Sequence, residues 1–263
     1  MLAATPRQPR VQDQPAYVLH RHDWSEASLI LDVFSRAHGR LALVAKGVKR
    51  PSSQFRPVLL PLQGLRLSWG GDAEVRTLKS ATWAGGHVMP TGDALLAGTY
   101  LNELLLRLLA RDDPHPRLFD HYAHAVRALA QGQEPAHRVL RVFELLLLCE
   151  LGYLPQLDAD GASLSPLLPE TCYRLKPEAG LQASGAEGQA GAAGLPGRLW
   201  QPLQVALASE TPFESLLLAC AESAALLREP LRQLLHYHSG VRVFQTRQLM
   251  VDAQRLAMLP ATL

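Results

Sequence analysis

The hydrophobic pattern changes its period near Pro90, and this change constrains the fold more than any other feature of the sequence. Before Pro90, apolar and polar residues tend to alternate, as around Leu41 and Leu43, which is typical of β-strands with one buried face. After it, apolar residues recur at helical spacing, as in Leu101 and Leu104. The pattern therefore predicts an α+β protein in which a β domain precedes a mainly helical one.

Five short segments before Pro90 have strand character, and turn-forming residues separate them. They read AYVLHRH, SLILDVF, GRLALVAKG, LQGLRLSW and EVRTLKSAT. Because five short strands cannot bury both faces of an open sheet, closure into a small antiparallel barrel is the economical solution. We expect a five-stranded OB-type β-barrel over residues 14–85, preceded by a flexible basic tail over residues 1–13.

The connection between the third and fourth segments, from Gly47 to Pro61, is too polar and proline-rich to be core. It should project from the barrel as a basic loop. Six basic residues of this loop and of the hairpin before it are candidates to contact nucleic acid: Arg36, Arg40, Lys46, Lys49, Arg50 and Arg56. Such a cluster provides salt-sensitive affinity for phosphates whatever the base sequence.

Several aromatic residues of the predicted barrel could stack on bases: Tyr17, Trp24, Phe34, Phe55 and Trp69. A small barrel needs aromatic filling, so Phe34 and Trp69 are expected in its core. Phe55 lies within the basic loop and is the favoured stacking residue.

The charge is distributed unevenly along the chain. Residues 1–90 hold 12 Lys/Arg against six Asp/Glu, and residues 91–263 hold 14 against 18. A basic front domain on an acidic body indicates a polyanion site on the first and protein contacts on the second. The barrel and its charge allow DNA binding and, equally, an RNA-binding module of RNA processing or translation.

The helical domain is predicted over residues 90–263, with an irregular insertion at about residues 153–200. Within the insertion, CYRLKPEAGL could form a small β hairpin, and the Gly-rich stretch 183–197 is typical of a flexible loop. The FELLLLCEL run is apolar on several faces, so its helix should be central.

No catalytic signature is present: the sequence has no GxxxxGK[ST], HExxH or GxSxG motif. Isolated cysteines and two histidine pairs are the possible metal ligands: Cys149, Cys172, Cys220, His20 with His22, and His236 with His238. None has further ligands at a suitable spacing, so buried thiols and surface histidines are the preferred interpretation. We expect no enzyme activity, no cofactor and no metal, although a nuclease assembled from scattered Asp and His remains the rival enzyme class.

No run of 18 apolar residues occurs, and the first residues lack the apolar core of a signal peptide. A cytoplasmic protein is expected.

Four long segments follow one another in an informative order: YVLHRHDWSEASLILDVFSRAHGRLALVAKGVKR, YLNELLLRLL, LFDHYAHAVRAL and LRVFELLLLCELGY. In this order they resemble the bacterial RecO family of recombination mediators, and TRQLM near the end is similar to a basic helix start of that family. The resemblance implies an OB-fold domain followed by a helical domain, with binding of single- and double-stranded DNA and annealing of complementary strands. It also implies association with RecR and with the acidic carboxy-terminal tail of single-stranded-DNA-binding protein, help in loading the recombinase, and a place at the nucleoid.

Two further implications of the resemblance concern particular residues. Arg141 matches the family position whose arginine engages the terminal carboxylate of that tail, and a guanidinium suits bidentate recognition; from the residues alone, it would be a solvated arginine paired with Glu144. Many members of the family carry a four-cysteine zinc module after the ELGY stretch, whereas only Cys172 lies in that region here. Zinc is therefore not expected in this chain.

Overall fold

The structure is a computed structural model that describes residues 10–86, 88–184, 194–246 and 248–250. The predicted tail up to residue 9, most of the Gly-rich stretch and the segment after TRQLM lie outside the described residues. The chain forms two compact units, residues 1–131 and 132–263. Within the described ranges, no helix has the length and apolar character needed to cross a membrane.

Five strands near the start of the chain form a closed barrel: β1 (Arg10–Asp23), β2 (Leu29–Ser35), β3 (Gly39–Ala45), β4 (Leu65–Gly70) and β5 (Val75–Trp83). Their order around the barrel is β1-β2-β3-β5-β4. The predicted five-stranded barrel is confirmed. The prediction that it is wholly antiparallel is wrong at one seam, where β3 pairs with β5 in parallel. A ring with an odd number of strands cannot alternate direction all the way round, so one parallel pair is unavoidable.

The first strand begins earlier than predicted. Arg10 pairs with Gly70 and Val11 with Trp69, so residues 10–13 extend the β1–β4 ladder. These four residues were predicted as part of the tail, because their polar composition hides the fact that β4 offers them a partner edge.

The barrel interior is filled by aliphatic side chains around Trp69, as predicted for that tryptophan. Phe34 is also fully buried, but it points to the opposite side of β2 from the barrel core. Its ring lies 5.4 Å from that of Phe119 and 6.3 Å from that of Tyr122, measured between centroids. The prediction that Phe34 fills the barrel is therefore wrong, because a helix supplies a second apolar layer outside it.

The second layer consists of α1 (Gly92–Leu108) and α2 (Pro116–Gln131). The amide of Asn102 on α1 donates to the Leu19 carbonyl oxygen of β1 at 3.0 Å, and the Tyr122 hydroxyl of α2 donates to Asn102 Oδ1 at 2.6 Å. The predicted division near residues 85–90 follows the change of period. The boundary between the two compact units instead falls after α2, at residue 131, because α1 and α2 pack on the barrel.

The second unit contains α3 (Ala136–Glu150), β6 (Cys172–Lys176), β7 (Gly180–Ala183), β8 (Leu195–Pro196), α4 (Gly197–Leu207), α5 (Pro212–Ala219) and α6 (Arg228–Ser239). Helix α3 is buried along its whole middle and contacts both α5 and α6, which confirms its predicted central position. The small sheet has the order β7-β6-β8, and its β6–β7 hairpin is the predicted CYRLKPEAGL excursion.

Candidate nucleic-acid interface

Arg36 lies in the turn between β2 and β3 and is already paired within its own unit. Its Nε and one terminal nitrogen donate to the two carboxylate oxygens of Asp120 on α2, at 2.9 and 2.8 Å. The hydrogen bond and charge of Asp120 raise the pKa of the Arg36 guanidinium above its usual value. A bidentate pair of this kind leaves Arg36 little net charge to offer a phosphate.

Arg40, at the start of β3, supports the end of a helix. One terminal nitrogen donates to the carbonyl oxygens of Leu106 and Leu109, at 2.7 and 3.2 Å, and the other donates to Asp32 Oδ1 at 3.3 Å. Leu106 lies in the last turn of α1 and Leu109 is its C-cap residue, so no further helical N–H is available to these carbonyls. Arg40 therefore acts as a helix cap.

The buried carboxylate of Asp32 on β2 has several positively charged or ionisable neighbours. Besides Arg40, His22 lies 2.9 Å from its carboxylate and Arg111 lies 3.7 Å from it. The backbone N–H of Asp112 also donates to the Arg40 carbonyl oxygen at 2.8 Å. The β2–β3 hairpin is thus fixed to the connection between α1 and α2 by charge and by backbone hydrogen bonds.

In the loop between β3 and β4, residues 46–64, one cation is paired and three are exposed to solvent. Lys49 ties the loop to the β1–β2 turn: its ammonium group lies 2.6 Å from Asp23 Oδ1 and donates to the Ser25 carbonyl oxygen at 3.0 Å. Its backbone N–H donates to the Ala27 carbonyl oxygen at 3.1 Å. Lys49 is therefore mainly a brace between two loops.

Lys46, Arg50 and Arg56 are exposed along the same loop. Of the seven predicted contact residues, these three present their charges most directly to solvent. The exposed charges fall within eleven residues, 46–56, and three cations in so short a stretch favour contact with nucleic-acid phosphates.

Phe55, the predicted stacking residue, is half-buried and packs against the core of the barrel. Its carbonyl oxygen accepts hydrogen bonds from the N–H groups of Val58 and Leu59, at 3.1 and 3.0 Å. The loop folds into a tight turn here, and Val48 and Leu59 of the same loop are buried in the barrel core. The prediction that the whole loop projects from the barrel is therefore wrong, because its apolar residues pack on the core while its cations stay exposed.

The exposed aromatic rings are elsewhere. Trp24, in the β1–β2 turn, is 66% exposed, and Trp83, at the end of β5, is 59% exposed. Trp24 was one of several aromatic candidates in the sequence and Trp83 was not considered. A signal for Trp24 did exist, since a tryptophan within the polar segment DWSEAS has few apolar neighbours along the chain.

Arg141 lies inside the second unit, on α3, and its side chain is 7% exposed. One terminal nitrogen donates to Glu144 Oε1 at 2.6 Å, and the other to the Arg228 carbonyl oxygen at 3.4 Å. Burial raises the pKa of the neighbouring Cys220 thiol to about 12, although the charge of Arg141 acts in the opposite direction. Pairing with Glu144 was one of the two interpretations from sequence, but the arginine is not solvated.

The two histidines of the pair on β1 contact each other, and His22 also contacts Asp32. The rings of His20 and His22 lie 4.4 Å apart between centroids, and burial followed by the charge of His22 lowers the pKa of His20. Among the described residues, no cluster of three or more His, Cys, Asp or Glu side chains could hold a metal ion.

Comparisons with known proteins agree with this architecture. The family model described as Recombination protein O N terminal matches residues 11–87, and the one described as Recombination protein O C terminal matches residues 89–245. A protein of Albidiferax ferrireducens named DNA repair protein RecO is 58% identical over 250 residues, covering 95% of this chain and 98% of that protein.

Other relatives carry the same name. Those of Polaromonas naphthalenivorans and Variovorax paradoxus are each 58% identical and cover 94% of this chain and 98% of their own length. The family models together cover the barrel, the helices and the small sheet. By these matches over nearly its whole length, the chain belongs to the RecO family of DNA repair proteins.

Proposed function

We propose that this protein is a non-enzymatic recombination mediator that binds DNA, anneals complementary single strands and helps load the recombinase. The observation that carries the proposal is the closed barrel together with its β3–β4 loop, on which Lys46, Arg50 and Arg56 are exposed. Membership of the RecO family makes DNA the favoured nucleic acid. An RNA-binding role has no observation of its own in its favour.

Annealing follows from charge neutralisation. Two complementary strands repel each other through their phosphates, and cations held on a protein lower that repulsion while releasing the counterions of both strands. A loop whose cations are exposed to solvent can bind the phosphates of one strand and bring it close to another without hiding its bases. We therefore assign strand binding to the β3–β4 loop of the first unit, with single-stranded and double-stranded DNA as ligands.

The second unit is the proposed site for protein partners. It carries ten Lys/Arg against 13 Asp/Glu, whereas residues 1–131 carry 16 against 11, so DNA is less strongly attracted to it. We propose RecR and the acidic carboxy-terminal tail of single-stranded-DNA-binding protein as its partners. Arg141 would keep Glu144 as a partner of one terminal nitrogen and bind the terminal carboxylate of that tail through its other guanidinium nitrogens, of which Nε has no hydrogen-bond partner among the described residues.

Testing the Arg141 proposal requires a variant that leaves no buried charge alone, because removing one partner of a buried pair is strongly destabilising. Replacing Arg141 and Glu144 together by Met is such a variant. We expect its affinity for an acidic tail peptide to fall about tenfold while its affinity for single-stranded DNA stays unchanged, both measured by fluorescence anisotropy. Equal tail affinity would remove Arg141 from the site.

The whole proposal is tested by an annealing assay in the cytoplasmic pH range, without ATP. Complementary strands, bare or coated with single-stranded-DNA-binding protein, are mixed with the full chain. We expect faster pairing in both cases, and on coated strands only when the coating protein keeps its acidic tail. Labelled DNA incubated with Mg²⁺ should stay intact, and matched RNA should compete less well than DNA. Annealing no faster than the spontaneous rate would contradict the proposal.

A further inference from the structure

Trp24 presents a large apolar ring to solvent from a turn whose backbone is fixed by hydrogen bonds. The backbone N–H of Trp24 donates to the Ser28 carbonyl oxygen at 3.2 Å. The backbone N–H of Ser25 donates to the same oxygen at 3.3 Å. The ring is the most exposed tryptophan side chain among the described residues, at 66%. An aromatic ring on a fixed turn has only two side-chain torsions to order when it binds a flat ligand, so the entropy cost is small.

The turn that carries Trp24 is joined to the basic β3–β4 loop. Lys49 bonds to the carbonyl oxygens of Ser25 and Ala27, and the N–H of Gly47 donates to Ser28 Oγ at 3.5 Å. These contacts hold the ring of Trp24 and the start of the basic loop at the same end of the barrel.

The charges around Trp24 favour an anionic ligand. Asp23 is neutralised by the ammonium group of Lys49 at 2.6 Å. The exposed Lys46 and Arg50 flank that lysine in the loop. Glu26, exposed in the same turn, is the opposing charge. An aromatic ring beside excess positive charge matches the two components of a nucleotide, a base and a phosphate.

Other aromatic residues of the barrel have their rings occupied. Tyr17 and Phe34 contact the rings of Phe119 and Tyr122, and Trp69 is in the barrel core. Trp83 is exposed, but it pairs with Leu65 at the end of β5, whereas the Trp24 turn follows the far end of β1. Trp83 is thus a matched control of nearly equal exposure in a different place.

We propose that Trp24 is a base-stacking residue for single-stranded DNA, with phosphates of the same strand on Lys46 and Arg50. The inference deepens the proposed function and rests on it. Stacking on one ring accepts every base, so it adds affinity for unpaired strands without sequence preference. It also discriminates against duplex, whose bases are already stacked on one another.

Fluorescence anisotropy on the full chain tests the proposal, using a labelled oligo-dT and an abasic strand of equal length. We expect Trp24→Ala to weaken oligo-dT binding about tenfold, Trp24→Phe to restore most of it, and Trp83→Ala to change it less than twofold. Binding of the abasic strand should be the same for Trp24→Ala and the unmodified protein. This last readout separates stacking from a general disturbance of the loop.

Intrinsic fluorescence gives an independent check. In Trp83→Phe the exposed indole left in the described chain is Trp24, and oligo-dT should quench it, whereas in Trp24→Phe the quenching should be lost. The inference would be overturned if Trp24→Ala bound oligo-dT within twofold of the unmodified protein. Equal losses of affinity for oligo-dT and for the abasic strand would also overturn it. Failure of the unmodified protein to bind either strand would instead contradict the proposed function.

Discussion

The β2–β3 hairpin and the β3–β4 loop carry basic residues from one short stretch of sequence, but the two regions use them in opposite ways. In the hairpin, Arg36 and Arg40 face carboxylates and carbonyl groups supplied by α1 and α2. In the loop, Lys46, Arg50 and Arg56 face solvent. A run of cations in sequence therefore does not identify a nucleic-acid surface until the acidic partners from distant parts of the chain are known.

Lys49 lies between these two extremes. It is in the loop, but its ammonium group is bound to Asp23 and Ser25 of a neighbouring turn. The number of charges available to DNA is therefore smaller than the sequence indicates, and those that remain exposed lie in the β3–β4 loop.

The largest expected effect on stability comes from adding one methyl group, as a glycine-to-alanine substitution, to the hairpin rather than to the loop. Gly39 and Gly47 both have positive φ, 66° and 71°. A Cβ at Gly39 would overlap the Asp113 carbonyl oxygen, whereas at Gly47 the nearest atom is 3.8 Å away, on the Arg50 side chain. We expect Gly39→Ala to lower the free energy of unfolding of the first unit by at least about 3 kcal/mol, and Gly47→Ala by about 1 kcal/mol.

Urea unfolding followed by circular dichroism, with hydrogen exchange of the β3 amides to identify the first unit, measures both changes. Equal losses for the two alanine variants would show that the hairpin is not docked on the α1–α2 connection.

A smaller effect is expected from removing a charge. Arg40→Met takes a donor from the last turn of α1 and a cation from the buried Asp32. It should cost about 2 kcal/mol of unfolding free energy. Lys46→Met removes an exposed cation six residues further along the chain and should change the free energy of unfolding by no more than about 0.5 kcal/mol. If Lys46→Met proved more destabilising than Arg40→Met in the same urea titration, the claim that the hairpin cation stabilises the fold and the loop cation does not would be contradicted.

Arg36→Gln should have a still smaller effect on stability, below about 1 kcal/mol, because both members of its pair with Asp120 are about half exposed. A double-mutant cycle with Asp120→Asn measures the coupling between them. Affinity of Arg36→Gln for single-stranded DNA should equal that of the unmodified protein, and a loss above threefold would return Arg36 to the interface.

Acid pH should affect the hairpin weakly. Burial, followed by the charge of Arg76, lowers the pKa of His38 in the folded protein. The unfolded chain therefore takes up a proton at a higher pH than the folded one, so stability is complete above the ordinary histidine pKa and decreases as the pH falls through it. His38→Gln should lose less stability between pH 7 and pH 5 than the unmodified protein, and an identical pH profile would contradict this.

Sequence periodicity was sufficient to predict the barrel, the central helix and the β6–β7 hairpin, because each depends on local patterns of apolar residues. The roles of the arginines could not be predicted in the same way. Arg36 meets Asp120 from a helix 84 positions later, and Arg40 meets carbonyl groups of Leu106 and Leu109. Phe55 looked free because it is surrounded by polar residues in sequence, yet the loop folds it onto the barrel.

The most direct test of the division between hairpin and loop is the salt dependence of single-stranded DNA binding. One variant replaces Lys46, Arg50 and Arg56 by Gln, leaving Lys49 to brace the turn, and the other combines Arg36→Gln with Arg40→Met. Each phosphate contact contributes about 0.7 to the slope of log affinity against log salt. We predict that the loop variant flattens this slope by about 2, while the hairpin variant, checked to be folded, keeps it. An unchanged slope in the loop variant, or an equal flattening in the hairpin variant, would contradict the account.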